Sequence, residues 1–292
     1  MPRTGLLAAA SAYLMWGLFP LYFHHLASVQ AVEVVLHRSA WSLVFVGLLL
    51  AWQRRWAWLG PVLAQPRTVG VFAVSALLLS SNWALYVWAV QHGQVLESSL
   101  GYFINPLFNV LLGVLVLGER PRPVQWAAIG LAALGVLWLG WVAGRPPWIA
   151  LALAASFGLY GLLKKLAPLG ALEGLALETG LLAPLAFGGL AWALLQGGDS
   201  AHASAGTWGW LLLAGPFTAV PLLLFAYGAQ RIPLGTLGLL QYLGPSVQFA
   251  LGVWVLHEPL QPDRLLGFAL IWTALLIYSG ETVWRLRRPA AA

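Results

Sequence analysis

Charge is what this 292-residue sequence has least of: Asp, Glu, Lys and Arg together make up 8% of it, against 60% hydrophobic residues. A soluble domain carries about a quarter charged residues because its surface must face water. So little charge excludes a water-soluble globule of this size. Cysteine is absent, which removes disulfides and thiolate metal sites and leaves the compartment unread. Short segments of alternating polarity are missing too, and with them the closed β-barrel, the other architecture that crosses a bilayer. There is no metal-ligand spacing, no phosphate-cradling loop and no nucleophile–base pair. His24 and His25 are adjacent, so they project in different directions from a helix and make a poor metal pair. A protein without cofactor or metal, and not an enzyme, is the expectation.

What is present is long apolar runs. Segments such as 69–90 and 127–142 are apolar on all sides and approach or exceed the roughly 18 to 20 residues that let a helix cross the hydrocarbon core. The fold class expected is an all-α integral membrane protein. Polar or Pro/Gly-rich breaks divide the chain into ten predicted spans near 5–25, 32–52, 69–91, 96–117, 124–142, 148–166, 173–196, 207–229, 235–256 and 263–283. The first apolar run is longer than a signal-peptide core and reads as a span, although Ala8–Ala10 resembles a cleavage site. With a cytoplasmic N-terminus, Arg3, Arg54, Arg55, Arg67, Arg120, Arg122, Lys164, Lys165, Arg231, Arg285, Arg287 and Arg288 fall inside. Only Arg145 and Arg264 fall outside, and Arg38 lies within a span. This positive-inside separation puts both termini in the cytoplasm and explains the net charge of +6 as topology, not as affinity for nucleic acid.

Sliding the chain by 139 positions lays Leu100, Pro106, Gly113 and Glu119 on Leu239, Pro245, Gly252 and Glu258, with Gln91 on Gln230. A shift of 144 lays Ala10, Gly17 and Leu18 on Ala154, Gly161 and Leu162, with Trp16 over Tyr160. Residues 1–145 and 146–292 therefore read as two five-helix copies. Because five is odd, the second copy enters the membrane inverted, an arrangement characteristic of transporters.

Several motifs carry a more specific likeness. They are the run Leu96-Glu97-Ser98-Ser99-Leu100-Gly101-Tyr102-Phe103-Ile104-Asn105-Pro106 with Leu117-Gly118-Glu119-Arg120, His37-Arg38 with Trp41-Ser42, and Asn82-Trp83 with Trp88-Ala89-Val90. Ser156-Phe157 with Tyr160-Gly161-Leu162, and Thr236-Leu237-Gly238 with Gln241-Tyr242 and Gly244-Pro245, complete the set. Over nearly its whole length the chain resembles the RarD-like branch of the EamA family, in the drug/metabolite transporter superfamily. The resemblance implies ten helices in two inverted halves, a bacterial inner-membrane location and export of small metabolites or drugs; the branch carries the label chloramphenicol-sensitive, and related EamA proteins export amino acids. One departure is His257-Glu258-Pro259 where the first half has Gly118-Glu119-Arg120.

Ser98, Tyr102, Asn105, Asn109 and Gly113 recur at steps of three and four and share one helical face. Gln241, Gly244, Gln248 and Gly252 occupy the corresponding face of the ninth span. Hydrogen-bonding groups aimed at lipid go unsatisfied, so both stripes should face inward, lining a cavity or gluing helices together. Pro106 and Pro245 lie beside them as candidate hinges. Ser75, Asn82 and Tyr86 add a polar face in the third span, and Tyr13, Trp16 and Tyr160 supply aromatic walls suited to an amphipathic substrate. Most of the 17 Trp residues need only an interfacial role. Arg38 lies about five residues into the second span, roughly 7 to 8 Å at 1.5 Å per residue. A charge there calls for an anionic ligand, a pairing with Glu97 or Glu33, or snorkelling to the interface. Glu178 is similarly placed in the seventh span, to attract an amine, carry a proton, or pair with Lys164 or Lys165. Glu119 and Glu258 read as helix-end anchors.

These readings converge on a secondary transporter moving a small-molecule substrate by alternating access, with membrane lipid as its other partner and no nucleic acid. Proton coupling and facilitated diffusion both fit. Homo-oligomerisation is not required; the fifth and tenth spans brace the halves or mediate association. A membrane-embedded lipid-modifying enzyme, a channel and a non-transporting scaffold are the rivals.

Overall fold

The computed structural model describes residues 3–91, 95–144, 148–255 and 262–287, and every regular element among them is helical. In chain order these are α1 (Arg3–Gly17), α2 (Phe19–His24), α3 (Ala31–Trp52), α4 (Leu59–Leu63), α5 (Pro66–Gln91), α6 (Val95–Leu115) and α7 (Pro123–Ala143). They continue as α8 (Trp148–Leu166), α9 (Ala171–Leu195), α10 (Ala205–Ala229), α11 (Leu234–Leu240), α12 (Leu243–Trp254) and α13 (Pro262–Arg287). A 3₁₀ turn at Asp199–His202 precedes α10. Among the described residues, seven stretches are long and apolar enough to cross a bilayer: Arg3–His24, Ala31–Trp52, Pro66–Tyr86, Pro123–Val142, Trp148–Leu166, Ala171–Leu195 and Ala205–Ala229. Large apolar side chains also face outward, among them Leu195, Trp141, Leu276 and Leu115. Such a surface is tolerable only where the solvent is hydrocarbon. The chain is a multi-pass membrane protein.

Proline sets the internal breaks. Pro245 has no N–H to offer the carbonyl four residues back, that of Gln241. The chain passes from α11 to α12 through tight turns instead, with Gln241 N–H on Gly238 O at 3.0 Å and Gly244 N–H on Gln241 O at 3.1 Å. Pro20 does the same between α1 and α2, freeing the Trp16 carbonyl, which receives Gln248 Nε2 from α12 at 3.4 Å. Pro106 behaves differently: α6 runs through it without a break. The two candidate hinges are thus unequal in this conformation.

The bundle has two ends. At the proximal end, where α1 begins, the Lys165 ammonium donates to Ile232 O at 2.6 Å, and Gln230 donates to Leu169 O at 2.8 Å. Arg55 pairs with Glu173, and Arg122 with Glu281 at 2.8 Å. At the distal end both Glu33 oxygens accept from the Asp199–Ser200 turn, at 2.9 Å from each backbone N–H, and Tyr22 donates to Trp210 O at 3.0 Å.

Packing follows a repeated pattern. α1 lies on α10 as α8 lies on α5, and α3 on α10 as α9 on α5. α6 packs on α8 as α11 and α12 pack on α1, while α3 meets α9, α6 meets α11, and α7 meets α13. In the last pair the backbones touch: a Cβ on Gly135 would lie 2.8 Å from Gly267 O, so only glycine permits the crossing. Tyr242 donates to Phe103 O at 3.0 Å. Those two residues are 139 apart, the repeat spacing itself.

Candidate functional site

Arg38 is the eighth residue of α3, about 10 Å along a helix that rises 1.5 Å per residue. Its Nε donates to Thr218 Oγ1 of α10 at 2.9 Å. Three rings surround its guanidinium carbon, Trp83 at 4.7 Å from the ring centroid, Phe19 at 5.5 Å and Phe23 at 5.7 Å. Cation–π attraction stabilises a guanidinium in such a box by about 0.5–2 kcal/mol per good contact. Tyr86 and Tyr102 lie within its electrostatic reach and meet each other edge-on, centroids 6.0 Å apart. Arg38, Trp83 and Tyr86 are each half-buried, and Tyr102 is 39% exposed. The five helices α2, α3, α5, α6 and α10 therefore leave a cleft into which one cation opens. Among the described residues no carboxylate pairs with Arg38; Glu33 is committed to the Asp199–Ser200 turn, and the side chain of Glu97 lies outside the described residues.

The second intramembrane charge is built in the opposite sense. Glu178 is the eighth residue of α9, and its Oε2 stands 2.6 Å from Lys164 Nζ, both side chains being at most 3% exposed. Ser75 Oγ of α5 donates to Oε1 at 2.5 Å. Lys164 also lies 5.4 Å from the Phe72 and Tyr160 ring centroids. A buried pair of this kind neutralises itself. Of the partners that sequence leaves open for Glu178, the structure selects Lys164.

An aromatic cluster joins the two halves between these charges. Tyr160 stacks on Phe225 at 5.9 Å, and Trp16 meets Phe157 at 5.9 Å and Phe225 at 5.7 Å. Tyr13 lies 5.6 Å from Trp16. The hydroxyls of Tyr13 and Tyr160 are buried with no hydrogen-bond partner among the described residues, which leaves two donors directed into an apolar interior.

The amides divide into two groups. Asn82 Nδ2 donates to Leu153 O at 3.0 Å and Ser156 Oγ at 2.9 Å, fastening α5 to α8. Asn105 Nδ2 donates to Ala154 O at 2.9 Å, fastening α6 to α8, while its Oδ1 accepts from Asn109 Nδ2 at 3.0 Å within α6. These are helix–helix ties of the kind polar residues make in membranes. By contrast Asn109 Oδ1 and Gln241 Oε1 are buried without partners among the described residues, and Gln248 is exposed. The inward stripe of α6 thus faces α8 at Asn105 and Asn109 and the cleft at Tyr102. Ser98 belongs to α6, but its side chain lies outside the described residues, as does all of Glu258. Glu119 anchors a helix end as expected: its carboxylate accepts from the N–H groups of Leu234 at 2.6 Å and Gly235 at 3.0 Å, opening α11.

Sequence reasoning missed the rest of the Arg38 box. Phe19, Phe23 and Thr218 carry no pattern of their own; the available signal was Pro20, which turns α2 so that Phe19 and Phe23 reach the α3 charge.

Comparison with known proteins identifies the architecture. The model of the EamA-like transporter family matches residues 3–141 and again residues 146–280. The protein RarD of Streptomyces exfoliatus is 50% identical over 99% of this chain and 92% of its own length. An uncharacterized transporter of Pseudomonas aeruginosa is 45% identical over 98% of this chain and 96% of its own, and the RarD protein of Escherichia coli is 42% identical over 98% and 97%. A solved crystal structure at 20% identity superposes with a TM-score of 0.73, covering 95% of this chain and 97% of that one, which is a likeness of fold. The chain belongs to the EamA-like transporter family, within the drug/metabolite transporter superfamily.

Proposed function

We propose that the protein is a secondary transporter that exports small amphipathic metabolites, amino acids or drugs, across the bacterial inner membrane by alternating access. Ten spans form two inverted halves, residues 1–145 and 146–292, with both termini cytoplasmic, so that the proximal end faces the cytoplasm. The double match to the family model and the paired packing pattern support the two halves. The basic residues at the proximal end, Arg55, Arg122, Lys165 and Arg231 among them, support the orientation.

The observation that carries the reading is the Arg38 cleft. It combines flat apolar surface from Trp83, Phe19 and Phe23 with a charged donor and the hydroxyls of Tyr86 and Tyr102. That composition suits a ligand with an apolar body and one polar end. Tyr13, Trp16, Asn109, Tyr160, Gln241 and Gln248 form the adjoining wall, and Ser75 with Glu178 the closed side opposite. Asn82, Asn105 and Pro106 stand behind that wall, Pro245 at its moving joint. Against an enzyme, membership of the EamA-like transporter family and the Pseudomonas aeruginosa relative named as a transporter weigh most. The test is flux of a labelled panel in proteoliposomes: neutral and aromatic amino acids, chloramphenicol and a nucleoside. Saturable, competable movement of one class is expected; ion currents in planar bilayers without saturation would make it a channel, and no flux from folded protein would return it to a scaffold or an enzyme.

A further inference from the structure

The two halves place a charge at the same position with opposite sign and opposite provision for it. α3 begins at Ala31 and α9 at Ala171, so a shift of 140 lays Glu33 on Glu173 and Arg38 on Glu178. Each charge bonds a hydroxyl on the third long helix of the other half: Arg38 to Thr218 of α10, Glu178 to Ser75 of α5. The Glu178 member is closed, 1% exposed, and carries its own counter-ion in Lys164 at 2.6 Å. The Arg38 member is open and, among the described residues, has rings and a hydroxyl but no carboxylate.

Inverted halves exchange conformations when access alternates. Arg38 must then become as enclosed as Glu178 is here. Enclosing a paired charge is tolerable, whereas enclosing one without a counter-ion is strongly unfavourable. The Lys164–Glu178 side can therefore close empty, and the Arg38 side cannot. The structure assigns the missing counter-ion to the cargo: we infer that the protein carries an apolar carboxylate whose carboxyl neutralises Arg38, and that it works as an exchanger, because the empty carrier does not close over Arg38. The carboxylate meets the free guanidinium N–H groups and its apolar body lies on Trp83. Thr218 is a positioning residue that fixes the guanidinium through Nε.

This inference rests on the transport reading, and the two fail differently. Wild-type protein is reconstituted in proteoliposomes loaded with labelled N-acetylphenylalanine, an apolar monoanion, or with labelled chloramphenicol, which has no carboxyl group. Efflux is timed into plain buffer and into buffer holding the same unlabelled compound. N-acetylphenylalanine efflux into plain buffer should be slower than exchange by about tenfold or more, since each 1.4 kcal/mol of closing penalty is a factor of ten. Arg38→Gln should bring the two rates together. Thr218→Glu, which supplies an internal carboxylate as Lys164 supplies an internal cation, should raise net efflux toward the exchange rate and keeps the test independent of how well Arg38→Gln folds. Glu97→Gln should leave the wild-type ratio unchanged. Equal efflux and exchange in the wild type, or a ratio abolished by Glu97→Gln, would overturn the inference. So would saturable chloramphenicol movement with none of N-acetylphenylalanine, although that result would leave the transport reading standing. Saturable movement of neither compound, nor of any member of the wider panel, would overturn both.

Discussion

Lys164 and Glu178 show at the scale of single residues how a membrane interior handles charge. Each alone is expensive there, and each is the other's only ionic partner among the described residues. Removing one member leaves the other enclosed and unpaired, a change that costs about 3–5 kcal/mol in buried pairs. Lys164→Met is therefore expected to lower thermal stability in detergent by that order. Lys164→Met with Glu178→Leu should recover most of the loss, because replacing both members by apolar groups is often neutral. A double variant no more stable than the single would show that Lys164 acts through its stem packing on Phe72 and Tyr160 and not through its charge. Asn82 separates structure from binding in a similar way. Its amide holds Leu153 O and Ser156 Oγ, so Asn82→Ala should lower stability by about 1 kcal/mol with the substrate KM unchanged; a raised KM at full stability would place it in the cavity. The sequence already gave Asn82, Asn105 and Asn109 an inward direction from their spacing. What it withheld was whether inward meant a neighbouring helix or a cleft, since both satisfy the same rule against lipid.

Helix ends are where the sequence was most informative about elements and where proline was read least completely. The end of α6 is built on Gly118, whose φ of 64° lies in the left-handed region, and on the bond from Glu119 N–H to Gly113 O at 2.9 Å. That closure turns the Glu119 side chain back onto the first N–H groups of α11, so one residue ends a helix of the first half and caps a helix of the second. Gly118→Ala is expected to cost about 1–2 kcal/mol through its backbone alone. Glu119→Ala should cost about as much by freeing two donors. Under the transport reading it should also loosen the proximal end. A single cysteine at Gly235, where an added Cβ lies 3.5 Å from Glu119 Oε2, would report that loosening as faster thiol labelling in the Glu119→Ala background, and unchanged labelling would limit Glu119 to a local cap. Gly118-Glu119 was legible because a glycine after an apolar run is a stop signal. The α1–α2 break was not, because one Pro inside an apolar span predicts a distortion without saying which side chains it re-aims, and here those are Phe19 and Phe23.

Across the whole molecule, the proposed repeat rests on Pro, Gly and Glu recurring together at one spacing, and the bond from Tyr242 to Phe103 O joins two residues separated by that same spacing. The sign difference between Arg38 and Glu178 was visible in the letters, yet its meaning required knowing that Lys164 stands beside one and rings beside the other. The orientation rests on charge counting, and the absence of cysteine makes it directly measurable. Ser28 and Ala201 are exposed at the distal end, and Ala57 and Ala64 at the proximal end. Single cysteines at the first two positions should react with a membrane-impermeant maleimide in intact spheroplasts. Those at Ala57 and Ala64 should react only after permeabilisation. The reverse pattern would invert the molecule, place the Arg38 cleft toward the cytoplasm in this conformation, and turn the proposed exporter's resting state into one waiting for cargo from inside. Mixed labelling of Ser28 and Ala201 would break the ten-span count, because six predicted spans lie between them and an even number of crossings returns the chain to the same face.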